Sequence, residues 1–416
     1  MEAFKAALSR ENIDNATLLT IIVAALGYFV DIFDLLLFSI VRVQSLKDLG
    51  VTGDAITSTG IMLLNTQMAG LLVGGLLWGV LGDRYGRKSV LFGSILLYSV
   101  ANLANGFVQD VNTYAMLRFI GGIGLAGELG AGVTLASELL PRAWRGLGTS
   151  FISMVGVMGA ALAVAVAEIF DWRTAYIVGG VLGLVLLMMR VNVRESGMYK
   201  QLMEKSKDVA RGNVFMLLRW NLFRKLLAVV LIGAPLWGVV ALFITLTPEF
   251  AKDLGMTVSP TAGRAVLFSY IAISIGGMLS GLLSQKLQSR KKAVAICLTA
   301  LAVAIGIYVS VPYGNSVGLY YFACFLLGLP CGYWAMFIQM GAEQFGTNIR
   351  ATAATSIPNF VRAVTIPVTM SFAALKPVLG VTWSGVAVVA CLLILAFAAL
   401  ATLKETFHED LDYVER

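Results

Sequence analysis

The chain alternates long apolar blocks with short polar ones. Blocks such as 226–246 and 381–403 stay apolar on every helical face. A hydrocarbon core needs about 20 residues of helix at 1.5 Å rise each, and barrel strands would instead show segments of about ten residues with alternating polarity. The pattern predicts an all-α membrane protein of twelve transmembrane helices. They lie near 17–43, 57–81, 89–108, 113–139, 147–168, 173–193, 223–247, 264–284, 293–311, 318–341, 351–375 and 380–403. The first block is too long for a signal-peptide core and has no small-residue cleavage site, so it is read as retained. A long hydrophilic stretch separates the spans six and six. The expected organisation is a first six-helix bundle over 1–193, a linker over 194–222, and a second bundle over 223–416.

Composition agrees: the 416 residues are 58% hydrophobic and 13% charged, against about 25% charged in an ordinary soluble domain. The net charge of +7 raises nucleic acid as a partner. Most of the basic residues lie between spans and form no stripe with aromatics, which argues against it. Of the 31 Lys and Arg, 23 fall on the side of the N-terminus. Cytoplasmic loops keep such an excess, so both termini are expected in the cytoplasm and the chain in a cell membrane. Cys297, Cys324, Cys331 and Cys391 sit inside apolar spans without ligand-like spacing, and the single histidine, His408, lies in the tail. No metal, cofactor or nucleophilic constellation follows, and no phosphate-binding loop marks an enzyme.

Gly75, Gly79 and Asp83 after the second span reappear as Gly277, Gly281 and Gln285 after the eighth. Two related halves about an axis along the membrane normal would hold a solute between them at mid-depth.

The run Gly79-x-x-x-Asp83-Arg84-x-Gly86-Arg87-Lys88 resembles the loop 2–3 signature of the major facilitator superfamily. Arg118-x-x-x-Gly122-x-Gly124-x-x-Gly127-Glu128, continuing through Glu138-x-x-Pro141 to Arg145-Gly146, resembles spans four to five of its sugar-porter, metabolite:proton-symporter and organic-ion branches. Asp171-Trp172-Arg173, Arg194-Glu195-Ser196 and Glu343-x-Phe345 through Thr347 to Arg350 extend the likeness along the chain. The resemblance implies the major facilitator fold and a cytoplasmic gate of Gly79, Asp83, Arg84, Gly86, Arg87, Glu138, Arg145, Glu343 and Arg350. Topogenic charge in solvated loops is the bland reading of the same residues.

An ionisable residue inside a span costs several kcal/mol unless it pairs or lines a wet cavity. Asp31, Asp34, Arg118 and Glu128 are candidates for proton coupling. Asp31 and Asp34 lie three residues apart in the first span, and Gly27-x-x-x-Asp31-x-x-Asp34 resembles a span-one pattern of metabolite:proton symporters, with Tyr28 and Asp31 replacing Asn and Glu. Arg118 and Glu128 are ten residues apart, about 15 Å along a helix, and need separate partners. An Asp of the first span is the expected partner of Arg118, and Glu128 is equally a proton site or a static anchor. Arg362 in span eleven is expected to fork onto a substrate carboxylate, the rival reading being that it pairs with a protein carboxylate. Tyr28, Phe33, Trp237, Tyr333, Trp334, Phe337, Gln339 and Asn359 are candidate lining residues, although most such aromatics serve packing.

These readings point to proton-coupled symport of a small organic anion, a mono- or dicarboxylate, by a monomer in the lipid bilayer. Exchange, facilitation of a sugar or zwitterion, and a transport-dead sensor are the rival readings.

Overall fold

The structure, a computed structural model, describes residues 15–85, 87–128, 145–190, 219–345 and 347–407. Every element among them is helical. The first half holds α1 (Asn15–Asp48), α2 (Ala55–Tyr85), α3 (Arg87–Asn105), α4 (Val111–Leu125), α5 (Arg145–Ile169) and α6 (Trp172–Met189). The second holds α7 (Trp220–Val239), a π-helical turn (Val240–Ile244), α8 (Thr247–Asp253), α9 (Ala262–Leu287), α10 (Arg290–Ser310), α11 (Val317–Cys331), α12 (Trp334–Glu343), α13 (Thr347–Ala363) and α14 (Thr365–Thr402).

Eight helical segments among the described residues are long and apolar enough to cross a membrane. The expected segments do not map one to one onto these eight, for identifiable reasons. The run 356–402 joins two of them, and Gly380 inside it takes φ 73°, where the chain changes direction. Asp253 caps the second piece by accepting from the Thr382 amide at 2.8 Å. Segment 113–139 runs beyond the described residues after Glu128, and segments 89–108 and 147–168 appear as shorter apolar helices.

Side-chain caps begin several helices where the polar residues of the sequence predict them. Asp110 accepts from the Thr113 amide, Asp171 from those of Arg173 and Thr174, and Ser289 from Lys292. Each satisfies donors that the first turn leaves unpaired. The cysteines are free thiols, all but Cys391 buried.

Packing follows the repeat. In the first half α2 lies along α4, and in the second α9 lies along α11. Both crossings are closed by glycine. A Cβ on Gly122 would overlap the Gln67 carbonyl, and one on Gly276 the Leu329 carbonyl, so these helices meet backbone to backbone. The two halves touch along two seams, α2 against α13 and α5 against α9.

Candidate functional site

The mid-length of α1 carries the two aspartates, and both are buried. They face different neighbours. Asp31 Oδ2 accepts from Arg362 Nη2 at 3.1 Å, joining α1 to α13, and both side chains are 0% exposed. The Arg362 guanidinium lies 5.6 Å from the Trp237 ring, close enough for a cation–π contact. Arg362 therefore takes the alternative named for it, a protein carboxylate as partner, but that pairing engages only part of the group. Its Nε and Nη1, with Asp31 Oδ1 and Trp237 Nε1, have no hydrogen-bond partner among the described residues. Buried donors rarely stay unsatisfied, so this cluster suits a polar guest.

Three of the expected lining residues surround the pair. The ring of Tyr28, one turn before Asp31, packs on Gly156, and its hydroxyl sits beside the Trp334 indole. Trp334 stands edge-on to Trp237 at 6.1 Å and stacks on Phe337 at 5.5 Å. Tyr270 on α9, which sequence reasoning missed, lies within electrostatic reach of Tyr28, Asp31 and Arg362. The other candidates point elsewhere. Phe33 packs on Gly179 of α6, and the Tyr333 hydroxyl donates to the Ile232 carbonyl at 2.7 Å. Asn359 donates to the Ala126 carbonyl at 2.9 Å and lies against Gly75, so it bridges the α2–α13 seam. The Gln339 side chain lies outside the described residues.

Arg118 does not hydrogen-bond to a span-one aspartate, contrary to expectation. It donates to the Tyr176 hydroxyl at 2.9 Å and to Gln67, with its guanidinium 4.0 Å from the Phe38 ring centroid. Neutral acceptors and a ring face hold the cation, while Asp34 remains near without hydrogen-bonding to it. Glu128 is fully engaged. Its oxygens accept from Arg190 at 3.1 and 2.8 Å and from Ser94 at 2.9 Å. That is the geometry of an anchor. Arg190 follows α6 at the polar edge of an apolar block, yet it folds back into the core. A Cβ on Gly27 would overlap its Nη2, so glycine at that position on α1 admits the ion pair.

The ends of the helices carry a second cross-half contact that sequence reasoning missed. Arg42 near the end of α1 is 1% exposed and donates to both carboxylate oxygens of Glu249 at 2.8 and 2.9 Å. Thr57 also donates to Glu249, and Ser39 meets the Thr245 hydroxyl at 3.1 Å. At the opposite end, Gly79 faces Ser356. Glu343 pairs with Arg290 at 3.6 Å and accepts from Thr406 at 2.6 Å. Of the other gate residues, Gly86 and Glu138 and the side chains of Asp83, Arg84, Arg87, Arg145 and Arg350 lie outside the described residues.

Apolar helices long enough to cross a membrane, with buried charges paired between the two halves of the chain, are the architecture of a multi-pass membrane protein. The chain belongs to the Major Facilitator Superfamily, whose family model matches residues 24–370. It is similar to a putative metabolite transport protein of Haemophilus influenzae, 28% identical over 82% of this chain and 84% of that one. It is also similar to the sialic acid transporter NanX of Escherichia coli, 25% identical over 81% and 82% of the two chains. Among solved structures it resembles the proton:xylose symporter XylE bound to 6-bromo-6-deoxy-D-glucose. That match has a TM-score of 0.70 at 18% identity and covers 96% of this chain and 98% of the other.

Proposed function

We propose that the chain is a proton-coupled symporter of small organic anions. It works as two six-helix bundles, 1–193 and 223–416, joined by a cytoplasmic linker, with twelve spans and both termini in the cytoplasm. The pairing of α2 with α4 and of α9 with α11, and the two seams, support the two-bundle arrangement. The charge asymmetry of the loops supports the orientation.

The observation that carries the reading is the Asp31–Arg362 ion pair with its unpartnered donors. A substrate carboxylate and Asp31 compete for one guanidinium. A proton on Asp31 makes it a neutral acid, and Arg362 can then present parallel donors to the incoming anion. Among the described residues, and apart from the Arg42–Glu249 and Arg290–Glu343 pairs, the buried Asp31, Asp34 and Glu128 are matched in number by the buried Arg118, Arg190 and Arg362. An anion added alone would leave a net charge in a region of low dielectric, where uncompensated charge is costly. One proton taken up with each monoanion keeps the balance, and a dianion needs two. The tryptophans beside Arg362 favour an acid with a flat or apolar body, and a relative that transports sialic acid is consistent with a carboxylate.

Proteoliposome uptake of labelled benzoate, succinate, gluconate and sialic acid, with and without an imposed pH gradient, tests this. At least one acid should accumulate only with the inside alkaline, and Arg362→Ala should abolish that accumulation. Uptake that ignores the gradient for every transported acid refutes coupling.

A further inference from the structure

Arg42 repeats, near the end of α1, the condition of Arg362. Both are buried guanidinium groups paired with a carboxylate of the other half, and in both the Nε and Nη1 nitrogens have no hydrogen-bond partner among the described residues. The polarity is reversed, since the first half supplies the acid at mid-length and the base at the end. Arg42 follows Asp31 by eleven residues. That returns it to the same face of α1, about 16 Å further along the axis. Ser39 lies between them and meets the Thr245 hydroxyl of the second half at 3.1 Å.

The position is shaped around the cation. A Cβ on Gly60 of α2 would overlap the Arg42 side chain, so α2 admits it only at a glycine. Both Glu249 oxygens accept from Nη2 alone, and the Thr245 carbonyl, directly after the π-helical turn, is 3.4 Å from the same nitrogen. Arg42 is 1% exposed and Glu249 16%, so the pair is reached from the surface along its carboxylate. Glu249 and Thr245 both belong to the second half. Parting the halves at this end therefore leaves the cation with no acceptor among the described residues. An uncompensated charge on the wall of a low-dielectric cleft is costly and attracts an ion of opposite sign. A plain latch needs the ion pair but gives no reason for two further buried donors without partners.

We propose that Arg42 is an outer anion site, which receives the carboxylate of an arriving acid when the halves part at this end, and that Glu249 takes the carboxylate's place while they are closed. The inference rests on the organic-anion reading and on the orientation proposed above, which puts this end outside. An acid on Arg42 offsets the charge that opening exposes, so external acid favours the open state. The Ser39 hydroxyl, released from Thr245 as the halves part, lies on the same helix face between this site and Arg362. Closure brings Glu249 back to Arg42 and displaces the acid toward Arg362. The outer site thus takes up cargo in one state and is emptied in the other by a carboxylate of the chain itself.

The test compares two variants of the full chain that both lack the ion pair. Glu249→Gln keeps the guanidinium, and Arg42→Gln/Glu249→Gln removes it. Uptake of labelled benzoate, succinate, gluconate and sialic acid into right-side-out membrane vesicles presents each acid to the end that carries Arg42. For an acid that wild type transports, the double variant should show a KM about tenfold above that of Glu249→Gln, the low end of what a hydrogen bond to a charged group supplies. In inside-out vesicles, where the acid enters from the other end, the two variants should share one KM. Arg42→Lys/Glu249→Gln, which keeps a cation, should restore most of the difference, and it replaces Glu249→Gln in the comparison if that variant does not fold. A KM in the double variant equal to or below that of Glu249→Gln in right-side-out vesicles makes Arg42 a latch alone and overturns the site. A gap of the same size from both ends overturns it as well, because Arg42 would then act on the whole cycle. A wild type that transports none of the four acids overturns the organic-anion reading, and the outer site with it.

Discussion

Asp31→Asn isolates the competition proposed for the Asp31–Arg362 pair. The substitution keeps an oxygen within reach of Arg362 and removes the negative charge, so it imitates the protonated state at every pH. The partners lie 3.1 Å apart and both are fully buried. At an effective dielectric constant near 20 their Coulomb attraction is about 5 kcal/mol. Much of this is offset by the desolvation of the two ions. If one third survives as the cost of detaching Arg362 from Asp31, anion binding tightens by roughly 1.5–2 kcal/mol, or about 10- to 30-fold. Asp31→Asn should therefore bind the transported acid at least tenfold more tightly by isothermal titration calorimetry in detergent. Its affinity should also lose the pH dependence of wild type. Counterflow should continue, and accumulation against a gradient should stop. Weaker binding by the variant would show that Asp31 assists the anion instead of competing with it, and would refute the scheme.

Three further outcomes follow, two from the other ion pairs and one from a carboxylate at the start of α10. Glu249→Gln removes the charge that compensates Arg42 and leaves the buried cation only neutral acceptors, the new amide oxygen and the Thr245 carbonyl 3.4 Å away. A membrane-impermeant maleimide should then modify a cysteine placed at Ser39, now 4% exposed, faster than in the parent, and an unchanged rate would contradict a latch at this end. Glu128→Gln strands the Arg190 charge in the core and should destabilise by about 3–5 kcal/mol. The Glu128→Gln/Arg190→Gln double variant should recover part of that loss in thermal unfolding, and additive losses would show that the two do not interact. At the polar end of α10, burial would raise the Glu405 carboxyl, but hydrogen bonds from Ser289 and from the Arg290 and Lys291 amides outweigh it and hold the group below its usual range. Its contribution is present above the ordinary carboxylate pKa and disappears as pH falls through the lowered one. Glu405→Gln should therefore cost up to about 1 kcal/mol at neutral pH, and the difference in melting temperature from wild type should vanish on acidification toward pH 3.

Hydropathy and charge made the helices legible, because a span has to be apolar along its length whatever it packs against. The chemistry was legible one residue at a time. Asp31 and Arg362 stand out as charges that must be compensated, and a protein carboxylate is one of the two partners the sequence offers Arg362, but nothing in the sequence singles out Asp31 as that carboxylate. Which groups meet depends on helix rotation and crossing, and these are decided by packing far along the chain. Arg118 has aromatic and amide neighbours from α1, α2 and α6 that no local pattern announces. Arg190 and Arg42 sit at the edges of apolar blocks, where a charge ordinarily reaches water, yet long flexible side chains carry both inward. The signal that could have found Arg190 was Gly27, a glycine one turn before Asp31, directly opposite the Glu128–Arg190 pair. Aromatic residues were the least legible, since packing and lining use the same side chains. Of the expected aromatics, Tyr28, Trp237 and Trp334 gather at the charge pair, with Phe337 stacked behind Trp334.

The glycine crossings have an evolutionary consequence. Where α2 meets α4 and α9 meets α11, backbone touches backbone and no larger side chain can be admitted. Between the halves, the contacts are side chains that can be exchanged one at a time: Asp31 with Arg362, Arg42 with Glu249, Asn359 with Ala126. The chassis is thus closed to variation at the places where the cargo-facing seam stays open to it. If the proposed site holds the cargo, a lineage can change what it carries by altering a few residues on α1, α7 and α13, without renegotiating how either half is built.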